Sequence, residues 1–439
     1  MRVNASRTYH DPLHGAITLD SGVPEEHLLI QLIDTPGFQR LRRIRQLGPA
    51  SLTFHGAEGS RFTHSLGVMH IARRCFDRLV KHHPHLQPYR AALLAAALLH
   101  DIGHGPLSHT AEEIFATHHE AWTKRILQES QSIRTILDTY DPGLADDLVR
   151  IYNKTFPVPL VWQLVSSQLD CDRLDYLMRD SYFTGASYGK LDLDRILMAI
   201  DYEPKTQQLV VARKGQAAIE HYLFVRYFMY AQVYNHPKNL AAAWVLEKIT
   251  ERGRSLLQEG KIFADATMAA WLSPRADALT LERYLGGDDI VFLYHLQQWQ
   301  QSQDAVLADL CRRYLDRDIL KALDISDLSE TDQTHCLNEA IQLAHRAGFS
   351  ETFYVGLRVS LSRGYTQYQK GIKLAVGDRL DEITTHSPLI SALITPMRRT
   401  WLIYPREIES SLISLKMAST TINEHSHQLR PDHENSKVP

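Results

Sequence analysis

The residues best placed to do chemistry lie where the apolar run Leu93-Leu94-Ala95-Ala96-Ala97-Leu98-Leu99 meets His100-Asp101-Ile102-Gly103-His104-Gly105-Pro106-Leu107-Ser108-His109. So uniform a run predicts a helix buried all round, which carries His100 and Asp101 into the interior. Buried polar groups need partners, and a metal ion supplies one. A His-Asp pair has little weight alone in a chain with 23 histidines. His10-Asp11, in a polar terminal setting, reads as a chance pairing of this kind. Three further groups add weight to His100-Asp101. In Arg61-Phe62-Thr63-His64 an arginine and a histidine open a helix. His118-His119-Glu120 joins His104 and His109, and His104 returns to the helical face of Asp101 three residues later. In the segment Asp170 to Asp180, Asp172, Asp175 and Arg179 share one helical face while Tyr176 and Asp180 share another. Each group alone also fits a solvated helix start or a salt-bridged amphipathic helix.

Together, His64, His100, Asp101 and Asp172 make a two-imidazole, two-carboxylate set suited to a divalent ion such as Fe, Mn, Mg, Zn or Co. Four protein ligands leave room for water and a phosphate oxygen. An ion held this way polarises a phosphoryl group and generates hydroxide near neutral pH. Neighbouring histidines can pass a proton to the leaving oxygen, and arginines can clamp the negative charge.

The elements that must position these residues are mainly helical. Apolar residues recur at three- and four-residue intervals over 25–47, 65–83, 90–101, 108–118, 121–139, 159–181, 215–236, 238–258, 288–302 and 303–315, and these spans are expected to be helices. A polar turn inside Met198 to Arg213 predicts a hairpin. The texture changes beyond residue 350, where Phe353 to Val359 and Thr400 to Tyr404 read as strands. The chain thus divides into a helical region over 1–325, an α+β C-terminal lobe over 326–417 and a polar, disordered tail over 418–439.

The 439 residues carry a formal net charge of -3, so a polyanion is not indicated as the main partner and phosphate binding must come from local charges. Nucleic acid is left as a secondary partner at most. Four scattered cysteines without a C-x-x-C pair argue against a disulfide framework, and no apolar leader or span is present. The reading is a cytoplasmic protein without a membrane anchor.

Several ordered segments resemble the HD-domain dNTP triphosphohydrolases, both the SAM-and-HD-domain type and the bacterial dGTPase-like relatives. They are Asp11-Pro12-Leu13-His14-Gly15, Asp34-Thr35-Pro36-Gly37-Phe38-Gln39-Arg40-Leu41-Arg42, Gln46-Leu47-Gly48, Arg61 to Gly67, His100 to His109, His119-Glu120, and Asp170 to Asp180. The resemblance covers roughly residues 9–325 and implies an HD helical bundle whose core spans about 60–181. It implies that His64, His100, Asp101 and Asp172 bind the metal. His104, His109 and His119, with Glu120 beside them, would form the catalytic cluster, His109 acting as general acid toward the departing ribose oxygen.

Arg61, Arg173 and Arg226 match positions that hold the triphosphate, although the family often has lysine where Arg173 stands. Gln46, Tyr176, Asp180 and Tyr234 match positions that test the sugar; a tyrosine under the ribose leaves no room for a 2′-hydroxyl. Asp34, Gln39, Arg42 and Arg317 match positions that recognise a GTP or dNTP effector between subunits, which implies a homo-oligomer, a dimer or tetramer. The implied reaction releases a deoxynucleoside and inorganic triphosphate from a dNTP such as dGTP. Two other readings of the residues are an HD phosphohydrolase for a dNMP or cyclic nucleotide, and a non-catalytic nucleotide sensor or single-stranded nucleic-acid binder.

Overall fold

The computed structural model describes residues 6–273, 279–367 and 371–413. The 418–439 tail lies outside the described residues. The architecture is mainly α, with small sheets, as the helical periodicity requires. Among the described residues no helix is long and apolar enough to cross a membrane.

Helix Arg90–Leu99 is the central rod, and every one of its residues is buried. Each fully buried leucine contributes about 1.5–3 kcal/mol relative to exposure, so this rod is held in place by burial rather than by capping. Helix Arg61–His82 packs along it, and helix Cys171–Thr184 packs on Arg61–His82 in turn. The resulting core runs from Ile17 to Leu393.

Several helices are shorter than their periodicity suggests, because polar caps intervene. The span 25–47 breaks after Pro24–Ile33: the Thr35 hydroxyl accepts from Phe38 N, and Pro36 starts the short helix Pro36–Gln39. The span 159–181 divides into Pro159–Val165 and Cys171–Thr184, since Asp170 caps the second helix by accepting from Arg173 N. The span 121–139 is also two helices, His119–Glu129 and Gln131–Tyr140, separated where Ser130 turns extended without a side-chain cap. A second hairpin precedes them all: Arg7–Asp11 pairs antiparallel with Gly15–Leu19. Its alternation is masked by polar residues, and its turn delivers Asp11 and His14 to the interior.

The hairpin expected within Met198 to Arg213 forms from Ile200–Glu203 and Gln208–Ala212. Strand Lys373–Val376 adds to it in parallel, with Val211 opposite Leu374, so the C-terminal lobe extends a sheet begun in the helical region. The lobe's own sheet has Met397–Tyr404 between Lys321–Asp324 and Gly356–Ser362, both antiparallel to it. Helix Glu330–Arg346 covers this sheet over a small core that includes Ile325, Ala340 and Leu402.

Candidate active site

Three elements bring the proposed ligands together. His64 lies in the first turn of Arg61–His82, His100 caps the C-terminus of Arg90–Leu99, and Asp172 sits in the first turn of Cys171–Thr184. The Nε2 atoms of His64 and His100 are 3.3 Å apart. Asp172 Oδ1 lies 3.1 Å from His64 Nε2 and 3.6 Å from His100 Nε2. Asp101 presents Oδ2 3.5 Å from His64 Nε2 and Oδ1 3.2 Å from His100 Nε2. These separations are the edges expected of donors about 2.1 Å from one ion.

The hydrogen bonds behind the rings show what the centre lacks. His100 Nδ1 donates to the carbonyl of Ala97 at 2.9 Å, and His64 Nδ1 donates to Asp175 Oδ2 at 2.8 Å. With Nδ1 engaged in a hydrogen bond, each ring directs its Nε2 inward. The Nε2 atoms of His64 and His100 and the Asp101 carboxylate lie close enough together to share one ion, and Asp172 stands beside the two rings. The surrounding carboxylates favour positive charge at His64. Burial would lower its pKa, yet hydrogen bonds to Asp172 and Asp175 and the charges of Asp175 and Asp101 outweigh burial and lift it to about 10. The donor set therefore fits a divalent metal.

Arg61 is buried against this centre; it donates from Nη1 to Asp101 and from Nε to Ser108 Oγ at 2.8 Å. Against burial, the Arg61 charge and the adjacent histidines hold the Asp101 carboxyl well below the usual range.

Beside the centre stands the histidine cluster. His104 Nε2 is 3.3 Å from Asp101 Oδ1, and its ring stacks on His119 with centroids 4.0 Å apart. The His109 ring meets His104 edge-on at 4.8 Å. One carboxylate organises two of these rings: Glu112 accepts from His109 Nδ1 at 3.1 Å and from His119 Nδ1. That residue is Glu112, one helical turn beyond His109 on helix His109–Phe115. Glu120 is exposed, and among the described residues no hydrogen bond joins it to the cluster. The i, i+3 spacing of His109 and Glu112 was the available signal in the sequence. Burial, the Arg61 charge and His119 push His104 well below the ordinary histidine range, so its ring is neutral.

Backbone geometry holds His109 in place. Leu107 and Ser108 take left-handed φ values of 63° and 57°, a costly conformation for side-chain-bearing residues. It is paid for by tertiary contacts: Leu107 N donates to Asp289 Oδ1 at 2.7 Å, and Ser108 Oγ donates to Arg45 O at 2.5 Å. Gly103 allows the preceding turn to press on helix His119–Glu129, since a Cβ there would lie 2.2 Å from His119 O.

A cleft of about 500 Å³ opens over His109 and is lined also by Gln46, Arg61, Tyr176, Asp180 and Tyr234. The far wall is Arg358 to Leu361 from strand Gly356–Ser362. A π-helical turn at Tyr230–Tyr234 rotates Tyr234 toward the cleft, where its hydroxyl donates to Asp180 Oδ2 at 2.9 Å. Burial raises the Asp180 carboxyl to about 7 despite that hydrogen bond. Arg173 and Arg226 lie behind this surface rather than on it. Arg173 is tied to Asp170, and Arg226 Nη1 donates to Gln168 Oε1 at 3.0 Å. The buried Nε of each has no acceptor among the described residues.

Of the remaining four residues, Gln39 and Arg42 are bonded to each other, while Asp34 and Arg317 have other partners. Asp34 pairs with Arg7 at 2.6 Å. Arg42 donates to Gln39 Oε1 at 2.8 Å, with its guanidinium 3.6 Å from the Phe62 ring centre. Arg317 instead donates to the carbonyl of Leu52 at 2.6 Å, and among the described residues no hydrogen bond or ion pair links it to the other three.

Sequence reasoning passed over the support beneath His64. Asp11, set aside as part of a chance His-Asp pair, is buried and accepts from Arg179 Nη1 at 2.8 Å. His14 Nε2 donates to Asp175 Oδ1 at 2.6 Å. The match of Asp11-Pro12-Leu13-His14-Gly15 to a family pattern was the only sign of this.

The helical fold and the clustered His64, His100 and Asp101 fit a divalent-metal site of the HD class. Residues 61–150 match the HD domain family. The chain is 37% identical to YwfO of Bacillus subtilis over 418 residues, 93% of this chain and 94% of that one. It is 30% identical over 258 residues to the deoxynucleoside triphosphate triphosphohydrolase SAMHD1 homolog of Dictyostelium discoideum, covering 53% of this chain and 46% of the relative. Its fold superposes on a phosphohydrolase from Bacteroides thetaiotaomicron with a TM-score of 0.79 at 27% identity, over 92% of this chain and all of that one. The chain belongs to the same family as YwfO and carries an HD domain over residues 61–150.

Proposed function

We propose that the protein hydrolyses deoxynucleoside triphosphates, dGTP or dNTPs generally, to deoxynucleoside and inorganic triphosphate. The observation that carries this reading is the continuity of three groups: the four-ligand cradle, the His104–His109–His119 cluster reached through Asp101, and the cleft that begins at His109. A divalent metal in the cradle would polarise the phosphoryl group and lower the pKa of water. His64, His100, Asp101 and Asp172 hold it. Arg61 lies next to the cradle, where a phosphate charge is close to its guanidinium, and Arg173 and Arg226 add positive charge from behind the cleft surface. His109, exposed to the cleft and braced by Glu112, donates the proton to the departing oxygen. Tyr176, Tyr234 and Asp180 form the wall against which a deoxyribose packs, and Gln46 offers it a buried carbonyl oxygen without a partner.

Among the described residues no hydrogen bond or ion pair joins Arg317 to Asp34, Gln39 or Arg42, and an effector nucleotide bound by all four would draw its arginine from a second copy. An effector-dependent dimer or tetramer is part of the proposal on that ground.

The test is to incubate the metal-loaded protein with each dNTP, singly and mixed, and to separate products by chromatography. Inorganic triphosphate from dGTP is the expected product, and turnover appearing only in mixtures reveals an effector. Orthophosphate released from dGMP, with dGTP untouched, sinks the reading in favour of another phosphoester. Tight dNTP binding with no product in any condition favours a sensor.

A further inference from the structure

We propose that His14, in the turn of the N-terminal hairpin, is a positioning residue of the metal centre that sets metal affinity through Asp175 and His64. The inference rests on the reading of His64, His100, Asp101 and Asp172 as metal ligands. Asp175 is fully buried and has a donor at every acceptor position. Oδ1 accepts from His14 Nε2 at 2.6 Å and Arg179 Nη2 at 3.0 Å; Oδ2 accepts from His64 Nδ1 at 2.8 Å and Arg179 Nε at 2.7 Å.

The bonds close into a circuit. Arg179 also donates to Asp11 Oδ2 at 2.8 Å, and Asp11 Oδ1 accepts from the backbone N–H groups of Leu13 and His14 at 2.9 Å each. Asp11 therefore shapes the turn that presents His14, His14 fixes one side of Asp175, Arg179 fixes the other, and Asp175 orients His64. A carboxylate held by arginine alone could pivot about the guanidinium plane. The His14 bond removes that freedom and so locks the His64 ring with its Nε2 toward the ion.

His14 comes from an element remote in sequence, 161 residues from Asp175, and it also borders a separate cavity of about 360 Å³ with His70, Arg74 and Met178. The support of the metal centre thus reaches the side of the molecule away from the cleft. Groups that orient a metal-bound histidine typically change metal affinity by about 10–100-fold when removed.

The test is calorimetric titration of metal-stripped full-length protein with Mn²⁺. His14→Phe keeps a ring of similar size and removes the donor; it should weaken Kd by about 10–100-fold and also lower the melting temperature of the stripped protein, because a bond to a buried carboxylate is lost. His14→Gln, which restores an N–H at the distance of Nε2, should bind within about threefold of wild type. Should His14→Phe fail to fold, His14→Asn, whose amide stops short of Asp175, takes its place with the same expected loss. Wild-type affinity in the donor-less variant, or equal losses in the phenylalanine and glutamine variants, overturns the proposal. A wild-type protein that binds no Mn²⁺ overturns the metal-centre reading itself.

Discussion

Replacing Gly67 with alanine is the sharpest test of how rigidly the metal centre is built. In an ordinary helix interior this change stabilises by about 1 kcal/mol, because alanine gives up less backbone entropy. Gly67 lies within helix Arg61–His82, one turn after His64, and here the sign reverses. A Cβ at this position would sit 2.0 Å from Asp175 Oδ1, 2.4 Å from Arg179 Nη2 and 2.7 Å from Asp175 Cγ. Ordinary contact begins near 3.4 Å, so atoms must separate by more than an ångström. The obstructing atoms are not the free end of a flexible side chain, since Asp175 is held by four donors and Arg179 by two carboxylates. Overpacking costs roughly 1–3 kcal/mol, and weakening a charge-assisted hydrogen bond costs about 1.5–3 kcal/mol more. After the propensity gain, a net loss of about 1.5–5 kcal/mol is expected. Because the displaced carboxylate carries His64, Mn²⁺ affinity should fall with stability. Thermal melting and Mn²⁺ titration of Gly67→Ala measure both. A variant as stable as wild type, with unchanged affinity, would show that the Asp175–Arg179 packing yields easily and that the rigidity argued here is absent.

The other predictions concern the ligands and the cleft. Asp172→Ala or His100→Ala should remove bound metal and activity together, whereas His109→Ala should keep its metal and turn over about 10²-fold more slowly or worse; elemental analysis beside steady-state rates decides, and normal turnover by metal-free Asp172→Ala protein refutes the ligand assignment. Asp180 predicts a pH effect on stability. Burial lifts its carboxyl to about 7 in the folded chain, while the unfolded chain releases that proton near the ordinary value of about 4. The folded state thus holds the extra proton, and the stabilisation it confers is complete below about pH 4 and is lost as pH rises through about 7. Burial also raises Asp289 to about 6, with the same sign. Asp180→Asn should therefore shrink, without abolishing, the drop in melting temperature between pH 5 and pH 8, and parallel curves for variant and wild type would contradict the assignment.

Much of the site was legible because its chemistry is written in short spacings. Seven apolar residues ahead of His100-Asp101 announce a buried helix that ends in polar ligands, and burial of every residue in Arg90–Leu99 follows directly from that pattern. Helical type and the hairpin near residue 200 are likewise local properties. Helix ends were less legible, because Thr35 and Asp170 stop helices by single side-chain caps inside otherwise periodic stretches.

What only the tertiary structure decided is which polar residues face one another. Asp11 and His14 sit in a polar stretch whose composition suggests exposure, yet the hairpin turns them inward against Asp175 and Arg179. Glu112 and Glu120 are both acids near histidines in sequence; the positive-φ turn at Leu107 and Ser108 and the stacking of His104 on His119 determine that Glu112 bridges the rings. Arg173 and Arg226 lie behind the cleft surface, a matter of layer depth that no spacing encodes. The physical reason is common to all of these. Periodicity reports which face of an element is buried, because burial free energy depends on local apolar area. Hydrogen-bond partners depend on angstrom-scale geometry between elements far apart in the chain, and that geometry exists only once the core has set.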